Sequence, residues 1–431
     1  MTIKITSLPK YQYFNKTFLD ELNTKISLLD LVSNNMTLLK DGQNYKGACP
    51  FHENEHESEK SDAKNSFSIS SDYNRYYCYE CHAKGGIINW VMHHEKLGFQ
   101  EAILFLSEKY QIPLPKETQY FNLERNVLID ILENAMNIYR YRLQRETEAL
   151  SYLYNERHLT SDSIEQFQLG IVTSGITQLL RNHFSESQLL ESGIAIRSRV
   201  NALENIDLLR YRICIPIQDE LGMVIGFAGR TYRKENSVKY LNTGETPLFQ
   251  KRKILYGLFN AKKHIMDDHT AVIVEGFFDV IALHQRGENR AVGMMGTSIY
   301  KEQIQKLFKY ADNLIFVFDG DEKGKEAILN TAFMAISEMN DNQMVYFVYL
   351  PQGEDPATYI HEHGLSAWKD LLKNKHSISQ ILTQFITAEM KQDKIGAIEK
   401  AKTILSQINN AEYFKESFTC HLEKLFDTQL D

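Results

Sequence analysis

Ala271-Val272-Ile273-Val274, Asn313-Leu314-Ile315-Phe316-Val317-Phe318 and Met344-Val345-Tyr346-Phe347-Val348-Tyr349-Leu350 are short, almost uninterrupted apolar runs. Such runs predict buried parallel strands, because a strand covered on both faces has no polar side. Each ends in acid: Glu275, Gly276 and Asp279 follow the first, Asp319-Gly320-Asp321 the second, and Gly353-Glu354-Asp355 the third. The carboxyl ends of strands in an open parallel sheet share one edge, outside which ligands bind. Three distant acidic segments therefore converge. Converging carboxylates repel unless a cation lies among them, and hard oxygen donors suit Mg²⁺ or Mn²⁺. Taken singly, each acid reads more simply as a helix cap or turn residue, Asp321 ahead of Glu322 for example. Repetition at three strand ends, with Gly276, Gly320 and Gly324 leaving space near the backbone, favours a divalent-metal site.

Upstream, Cys49-Pro50-Phe51-His52 and Cys78-Tyr79-Glu80-Cys81 supply two ligand pairs at x₂ spacing. Four such donors complete a closed tetrahedral Zn²⁺ site. His82 competes with His52 for the fourth position and ranks below it. Five cysteines, three of them clustered by spacing, fit metal binding in a reducing cytoplasm better than disulfides. Between the pairs, residues 65–70 and 74–77 alternate like hairpin strands and predict a zinc ribbon. Arg75, Tyr76, Tyr77, Tyr79 and Lys84 mix aromatic faces with positive charge, as single-strand binders do. Alternation turns half of those aromatics toward the core.

The chain has 431 residues, 43% of them apolar, which is room for several packed domains. Neither a basic-then-apolar leader nor a run of eighteen apolar residues is present, so secretion and membrane insertion are not indicated. A net charge of −8 means that any nucleic-acid surface is local. Such a surface is offered between Arg230 and Lys263, where nine basic residues face only Glu235 and Glu245. That run reads as a solvated basic face or as a phosphate-contacting footprint. Phe18, Leu22, Ile26, Leu29 and Val32 recur at helical spacing, with Asn34-Asn35 as the stop. Gln111-Ile112-Pro113-Leu114-Pro115 breaks a later helical stretch and marks a boundary near residue 116. Segments 210–217 and 224–230 predict a hairpin, with Cys214 buried and inert. Beyond Ile360, helices are expected over 378–386, 395–408 and 414–426.

Val274-Glu275-Gly276-Phe277-Phe278-Asp279-Val280, Gly296-Thr297 and Phe318-Asp319-Gly320-Asp321-Glu322-Lys323-Gly324 resemble the Toprim domain shared by bacterial primases, topoisomerases and some nucleases. The Cys-Pro-Phe-His opening, the Tyr-x-Cys-x-x-Cys run and Lys84-Gly85-Gly86 resemble the N-terminal zinc domain of DnaG-type primases. The stretch from Lys239-Tyr240-Leu241-Asn242 through Lys251 and Lys253 to Leu255-Tyr256-Gly257 is similar to the primase segment leading template and nucleotide to the metal site. The ordered combination covers about residues 40–365.

This resemblance implies a multidomain α+β and α/β chain. Its parts would be a zinc-ribbon domain with flanking helices (1–113), a linker (114–118), the first part of an RNA polymerase core (119–268), a parallel-sheet Toprim subdomain (269–365) and a helical bundle (366–431). It implies template-directed synthesis of short RNA on single-stranded DNA from ribonucleoside triphosphates by two-metal nucleotidyl transfer. Asp319, Asp321 and Asp355 would hold Mg²⁺ or Mn²⁺, with Glu275 a ligand or proton-handling group and Asp279 its support or a further ligand. Cys49, His52, Cys78 and Cys81 would hold structural Zn²⁺. Arg75, Tyr77, Lys84, Arg210, Arg212, Arg230, Lys239, Lys251 and Lys253 would handle template or triphosphate. A replicative helicase or single-strand-binding protein is the implied partner, at the replication fork or nucleoid. The family's separate helicase-docking module is not expected in the seventy or so residues after Ile360.

Two features depart from the family pattern. Residues 53–64 form a longer, more acidic insert, and the usual Asp-Pro-Asp of the third motif is Asp355-Pro356-Ala357. Ala357 cannot bind metal, which predicts weaker activity or altered metal occupancy. The rivals are a Toprim nuclease and a DNA-binding accessory protein with a decayed core.

Overall fold

The computed structural model describes residues 16–51, 66–81, 83–95, 97, 99–113, 116–198, 205–233, 238–296, 298–320 and 322–430. The chain divides into two compact units, Met1–Val127 and Leu128–Asp431.

In the first unit the helical periodicity yields α1 (Lys16–Lys25) and α2 (Leu28–Ser33). They are separated at Ser27, whose side chain accepts from the Asp30 N–H and caps α2; Asn34 ends it. The break turns Leu28 and Leu31 fully inward and leaves Leu29 half-buried. A five-stranded antiparallel sheet follows in the order β1 (Leu39–Asp41), β2 (Asn44–Gly47), β3 (Phe67–Ser70), β4 (Arg75–Cys78), β5 (Lys84–Gly85). Phe67, Ile69, Tyr76 and Cys78 point inward by alternation and pack with Trp90 of α3 (Ile87–His94) and Ile103 of α4 (Phe99–Lys109).

Asn74, in the left-handed turn between β3 and β4 (φ 51°), ties this sheet to the α1–α2 junction. It accepts from Leu28 N at 2.7 Å and donates to the Asn23 and Ile26 carbonyls at 2.8 Å each. Asn74→Ala should cost about 2–4 kcal/mol, since three backbone groups lose their partner and the left-handed turn loses a residue suited to it. A lowered denaturant midpoint for the first unit would be the readout.

Helix α5 (Lys116–Leu143) leads into the second unit. Residues 116–118, expected as linker, form its first turn; the proline before them cannot extend a helix backward but does not oppose one starting after it. Next come α6 (Thr147–Ser151), a π-helical turn (Tyr152–Glu156), α7 (Ser161–Gln166), β6 (Gly170–Val172), α8 (Ile176–Leu180) and α9 (Glu186–Glu191). The strands β7 (Ala195–Arg197), β8 (Asn205–Asp207), β9 (Arg212–Gln218), β10 (Val224–Arg230) and β11 (Tyr240–Asn242) follow. The expected hairpin is β9–β10, central in an antiparallel sheet ordered β11-β10-β9-β6. Cys214 is buried, and burial pushes its thiol well up, in keeping with an inert role.

The acid-tipped runs form a second sheet. Helix α10 (Leu258–Asp268) precedes β12 (Thr270–Val274), α11 (Phe277–Gln285), β13 (Ala291–Gly293), α12 (Lys301–Leu307), β14 (Asn313–Phe318), α13 (Glu322–Ile336) and β15 (Met344–Tyr349). The order is β13-β12-β14-β15, all parallel, with β16 (His376–Ser377) added antiparallel at the edge. Helix α14 (Pro356–Lys373) turns at Gly364 (φ 79°), and α15 (Ile378–Met390), α16 (Lys394–Gln407) and α17 (Glu412–Phe426) complete the unit. Ile381, Ile386, Phe418 and Phe426 share one core with Leu314, Phe316 and Phe347, so these helices close over the sheet. No helix among the described residues is long and apolar enough to cross a membrane.

The β9–β10 turn docks on α12 through Glu220, which accepts from Lys306 Nζ at 2.6 Å and from the Tyr310 hydroxyl. Burial alone would push the Glu220 carboxyl up, but Lys306 and Tyr310 outweigh it and hold it below the usual carboxylate range. A depressed carboxyl contributes stability above its ordinary value and loses it as pH falls through the folded one. Glu220→Gln is therefore expected to cost about 1 kcal/mol at pH 7. Parallel acid titrations of both proteins should show that difference closing below about pH 4.

Candidate active site

The acidic segments meet at the carboxyl edge of the parallel sheet. Glu275, half-buried, directly follows β12, and Asp279 lies buried in the first turn of α11. Both Asp279 oxygens are engaged: Oδ2 accepts from Gly276 N at 3.0 Å and Oδ1 from Ala357 N at 3.3 Å. Asp319 follows β14. Asp355 caps α14, accepting from Thr358 N at 2.7 Å, so it is a helix cap while also standing at the acid edge. Burial, then Asp355, then Asp319 raise the Asp279 carboxyl to about 7, against the opposing pull of the Ala357 and Gly276 N–H groups. Asp279, Asp319 and Asp355 are thus near neighbours, and such mutually repelling carboxylates fit a divalent cation. Asp321 lies outside the described residues.

Glycine lets the loops close. Gly320 N donates to the Glu354 carbonyl at 3.3 Å, and a Cβ at position 320 would stand 2.1 Å from the Pro351 oxygen. Any side chain there would push apart the segments carrying Asp319 and Asp355. Glu354 faces His363, with Oε2 3.3 Å from Nε2. Ala357 supplies no carboxylate, but its N–H holds Asp279.

Basic and aromatic side chains crowd the same edge. The Tyr152 hydroxyl accepts from Arg157 Nε at 2.8 Å and from Arg230 Nε at 3.1 Å. The Arg157 guanidinium lies 5.0 Å from the Phe278 ring centre, and that of Arg230 4.5 Å from Tyr240. Burial opposes the Arg157 charge, but Tyr152, Tyr240 and Asp279 push its pKa up. Lys251 Nζ lies 3.3 Å from where a Cβ of Gly296 would stand, against the loop after β13, while Gln303 Nε2 donates to the Lys251 carbonyl at 3.3 Å. Arg210, Lys239 and Lys253 are exposed. Arg212 corrects the expectation of a surface phosphate contact: it is buried, and its Nη1 donates to the Lys239 carbonyl at 3.2 Å, propping the segment that carries Lys239.

In the first unit the sulfurs of Cys49, Cys78 and Cys81 lie within 4.8 Å of one another. Cys78 Sγ accepts from Glu80 N and Cys81 N at 3.4 Å each. Burial pushes the Cys78 thiol up, but the Cys81 and Glu80 N–H groups outweigh it and bring it to about 7, whereas burial raises Cys49 to about 12. A thiol lowered by backbone donors approaches the thiolate that zinc binds, so this cluster fits Zn²⁺. His52 and His82 lie outside the described residues. Across the β3–β4–β5 register, Tyr77 pairs with Ser68 and Lys84, and Arg75 with Ser70, opposite to the buried Tyr76. Tyr77 packs edge-on to Tyr79 at 5.0 Å.

Residues 14–122 match the CHC2 zinc finger family, 138–262 the N-terminal domain of the DNA primase catalytic core, and 272–360 the Toprim-like family. A DNA primase of Haemophilus influenzae is 32% identical over 411 residues, covering 91% of this chain and 67% of the relative. The chain belongs to the DNA primase family. Its structure is similar to that of the Aquifex aeolicus primase comprising zinc-binding and RNA polymerase domains (TM-score 0.63, 27% identity, 96% of this chain and 97% of that one). It is also similar to a DnaG primase catalytic domain bound to single-stranded DNA (TM-score 0.64, 29% identity, 70% of this chain and 99% of that one). The chain spans 67%, 63% and 55% of the length of the DNA primases of Haemophilus influenzae, Pasteurella multocida and Pseudomonas putida that it matches.

The residues missed in the sequence are Tyr152 and Arg157. The available signal was weak: an arginine at the end of an apolar helical stretch, in a segment that adopts a π turn, a form common at functional sites.

Proposed function

We propose that the chain synthesises short RNA primers on single-stranded DNA from ribonucleoside triphosphates. The observation that carries this reading is the meeting of Asp279, Asp319 and Asp355 with Arg157 and Arg230 at one sheet edge. Glu275, Asp319, Asp321 and Asp355 would hold Mg²⁺ or Mn²⁺. When bound, the metal favours the attacking 3′-hydroxyl as alkoxide and stabilises charge on the α-phosphate. Asp279, with both oxygens on backbone N–H groups, orients the Glu275 turn against α14 and is a positioning residue. Arg157, Arg230 and Lys251 bind the triphosphate and the departing pyrophosphate. Lys239, Lys253 and Arg210 contact template phosphates, and Arg212 positions Lys239.

The zinc ribbon, closed by Cys49, His52, Cys78 and Cys81, presents Arg75, Tyr77 and Lys84 to the template as a module distinct from the core. On the same reading the protein works in the cytoplasm at replication forks, with a replicative helicase or single-strand-binding protein as partner. Incubation with single-stranded templates, Mg²⁺ or Mn²⁺ and labelled ribonucleotides should yield short oligoribonucleotides. Shortened template without such products would support nuclease action instead.

A further inference from the structure

We propose that Tyr211, Tyr232 and Arg233 form a stacking site for a base of the single-stranded DNA template, an inference that rests on the primase reading. The β9–β10 register ends at Arg230 opposite Ile213. Tyr211 immediately precedes β9 and Tyr232 lies two residues beyond β10, at the same end of the hairpin. The Arg233 guanidinium lies 5.3 Å from the Tyr232 ring centre and 5.9 Å from that of Tyr211, and its Nη2 donates to Glu148 Oε2 at 3.0 Å. Three planar groups are thereby gathered at the surface, where Tyr211 is 45% exposed. The core does not require them there.

Tyr211 also adopts a left-handed backbone (φ 59°), unfavourable for a large side chain, with its N–H donating to the Val172 carbonyl at 2.6 Å. The exposed Arg210 adjoins it. Arg210 and Arg233 are balanced by Glu148 and Glu146, so stacking rather than net charge draws a strand to the patch, and aromatic rings interleaved with arginines suit stacked bases.

The segment carrying Glu148 connects this patch to the acid edge. Glu148 and Tyr152 are four residues apart, which puts them on one helical face. Glu148 holds Arg233, while Tyr152 holds Arg157 and Arg230 beside Asp279. One helical turn, about 5 Å, separates the two anchors, so a strand stacked at Tyr211 continues toward the arginines of the reacting centre.

The test is fluorescence anisotropy of the full chain with a labelled oligothymidylate and with an abasic strand of equal length, at one salt concentration. Tyr211→Ala should reduce the preference for the thymidylate strand about tenfold, whereas Tyr211→Phe retains it. Tyr211→Trp should report the contact directly, its emission quenched by the thymidylate strand and not by the abasic one. Unchanged preference in Tyr211→Ala, or no selective quenching in Tyr211→Trp, would overturn the stacking site while wild-type primer synthesis left the primase reading standing. A wild-type chain that neither binds single strands nor makes primers would overturn both.

Discussion

Asp319→Ala is expected to abolish primer synthesis without unfolding the protein. Asp319 follows Phe318, which is 1% exposed in the central strand β14, so its backbone is fixed by packing that the substitution leaves intact. What disappears is a carboxylate at the edge where Asp279 and Asp355 also lie. Losing a group that stabilises charge in the reacting complex costs at least about 10³-fold in rate, or about 4 kcal/mol. Stability should move the other way. Burial and two neighbouring carboxylates raise Asp279 to about 7. A carboxyl raised on folding stabilises the fold below its ordinary value, and that contribution is lost as pH rises through about 7. Without the Asp319 charge this loss is smaller, so the metal-free variant should be at least as stable as wild type at pH 8. Labelled-ribonucleotide incorporation and thermal unfolding, measured on one preparation, check both halves. Activity within tenfold of wild type would mean that the chemistry occurs elsewhere.

The placement of the acidic segments and of the cysteines was legible in the sequence because each pattern is written locally. A strand of four to seven apolar residues must be buried, and the residue after its last one must emerge at the sheet edge, so Glu275 and Asp319 could be placed from the apolar runs, and Asp355 at the end of the short loop after β15. Cys78 and Cys81 lie on one turn, and the β2–β3–β4 register, Gly47 beside Phe67 and Phe67 beside Cys78, brings Cys49 to them. Arg212 and Arg157 were not legible in this way. Both are arginines beside apolar segments, and whether each ends inside or at the acid edge depends on partners distant in sequence: the Lys239 carbonyl for one, Phe278 and Asp279 for the other. Ala357 shows the same limit. Its side chain offers no carboxylate, whereas its backbone N–H, invisible in any motif, holds one in place.

Removing zinc should open the first unit and leave the second folded. Cys49 and Cys78 are 8% and 0% exposed and belong to the core that contains Phe67, Tyr76 and Trp90, so the metal cluster is part of the packing. Phe51, between Cys49 and the ribbon, contacts Trp90 edge-on at 5.1 Å and Phe67 at 6.1 Å. Structural zinc contributes about 10–16 kcal/mol in small zinc modules, comparable with or larger than the whole stability of a domain this size. The chain has two tryptophans, Trp90 and Trp368, one in each unit. Trp368 Nε1 is buried without a hydrogen-bond partner, so Trp368→Phe should be tolerated and isolates the Trp90 signal. In that background, stripping the metal should release one zinc per chain and move Trp90 emission to the red. Calorimetry should show one unfolding transition collapsing while that of the second unit, whose core is its own, stays in place. An unshifted Trp90 spectrum after complete zinc release would mean that the apolar core around α1 to α4 holds the unit by itself and that the cysteine cluster only fixes the surface that meets the template.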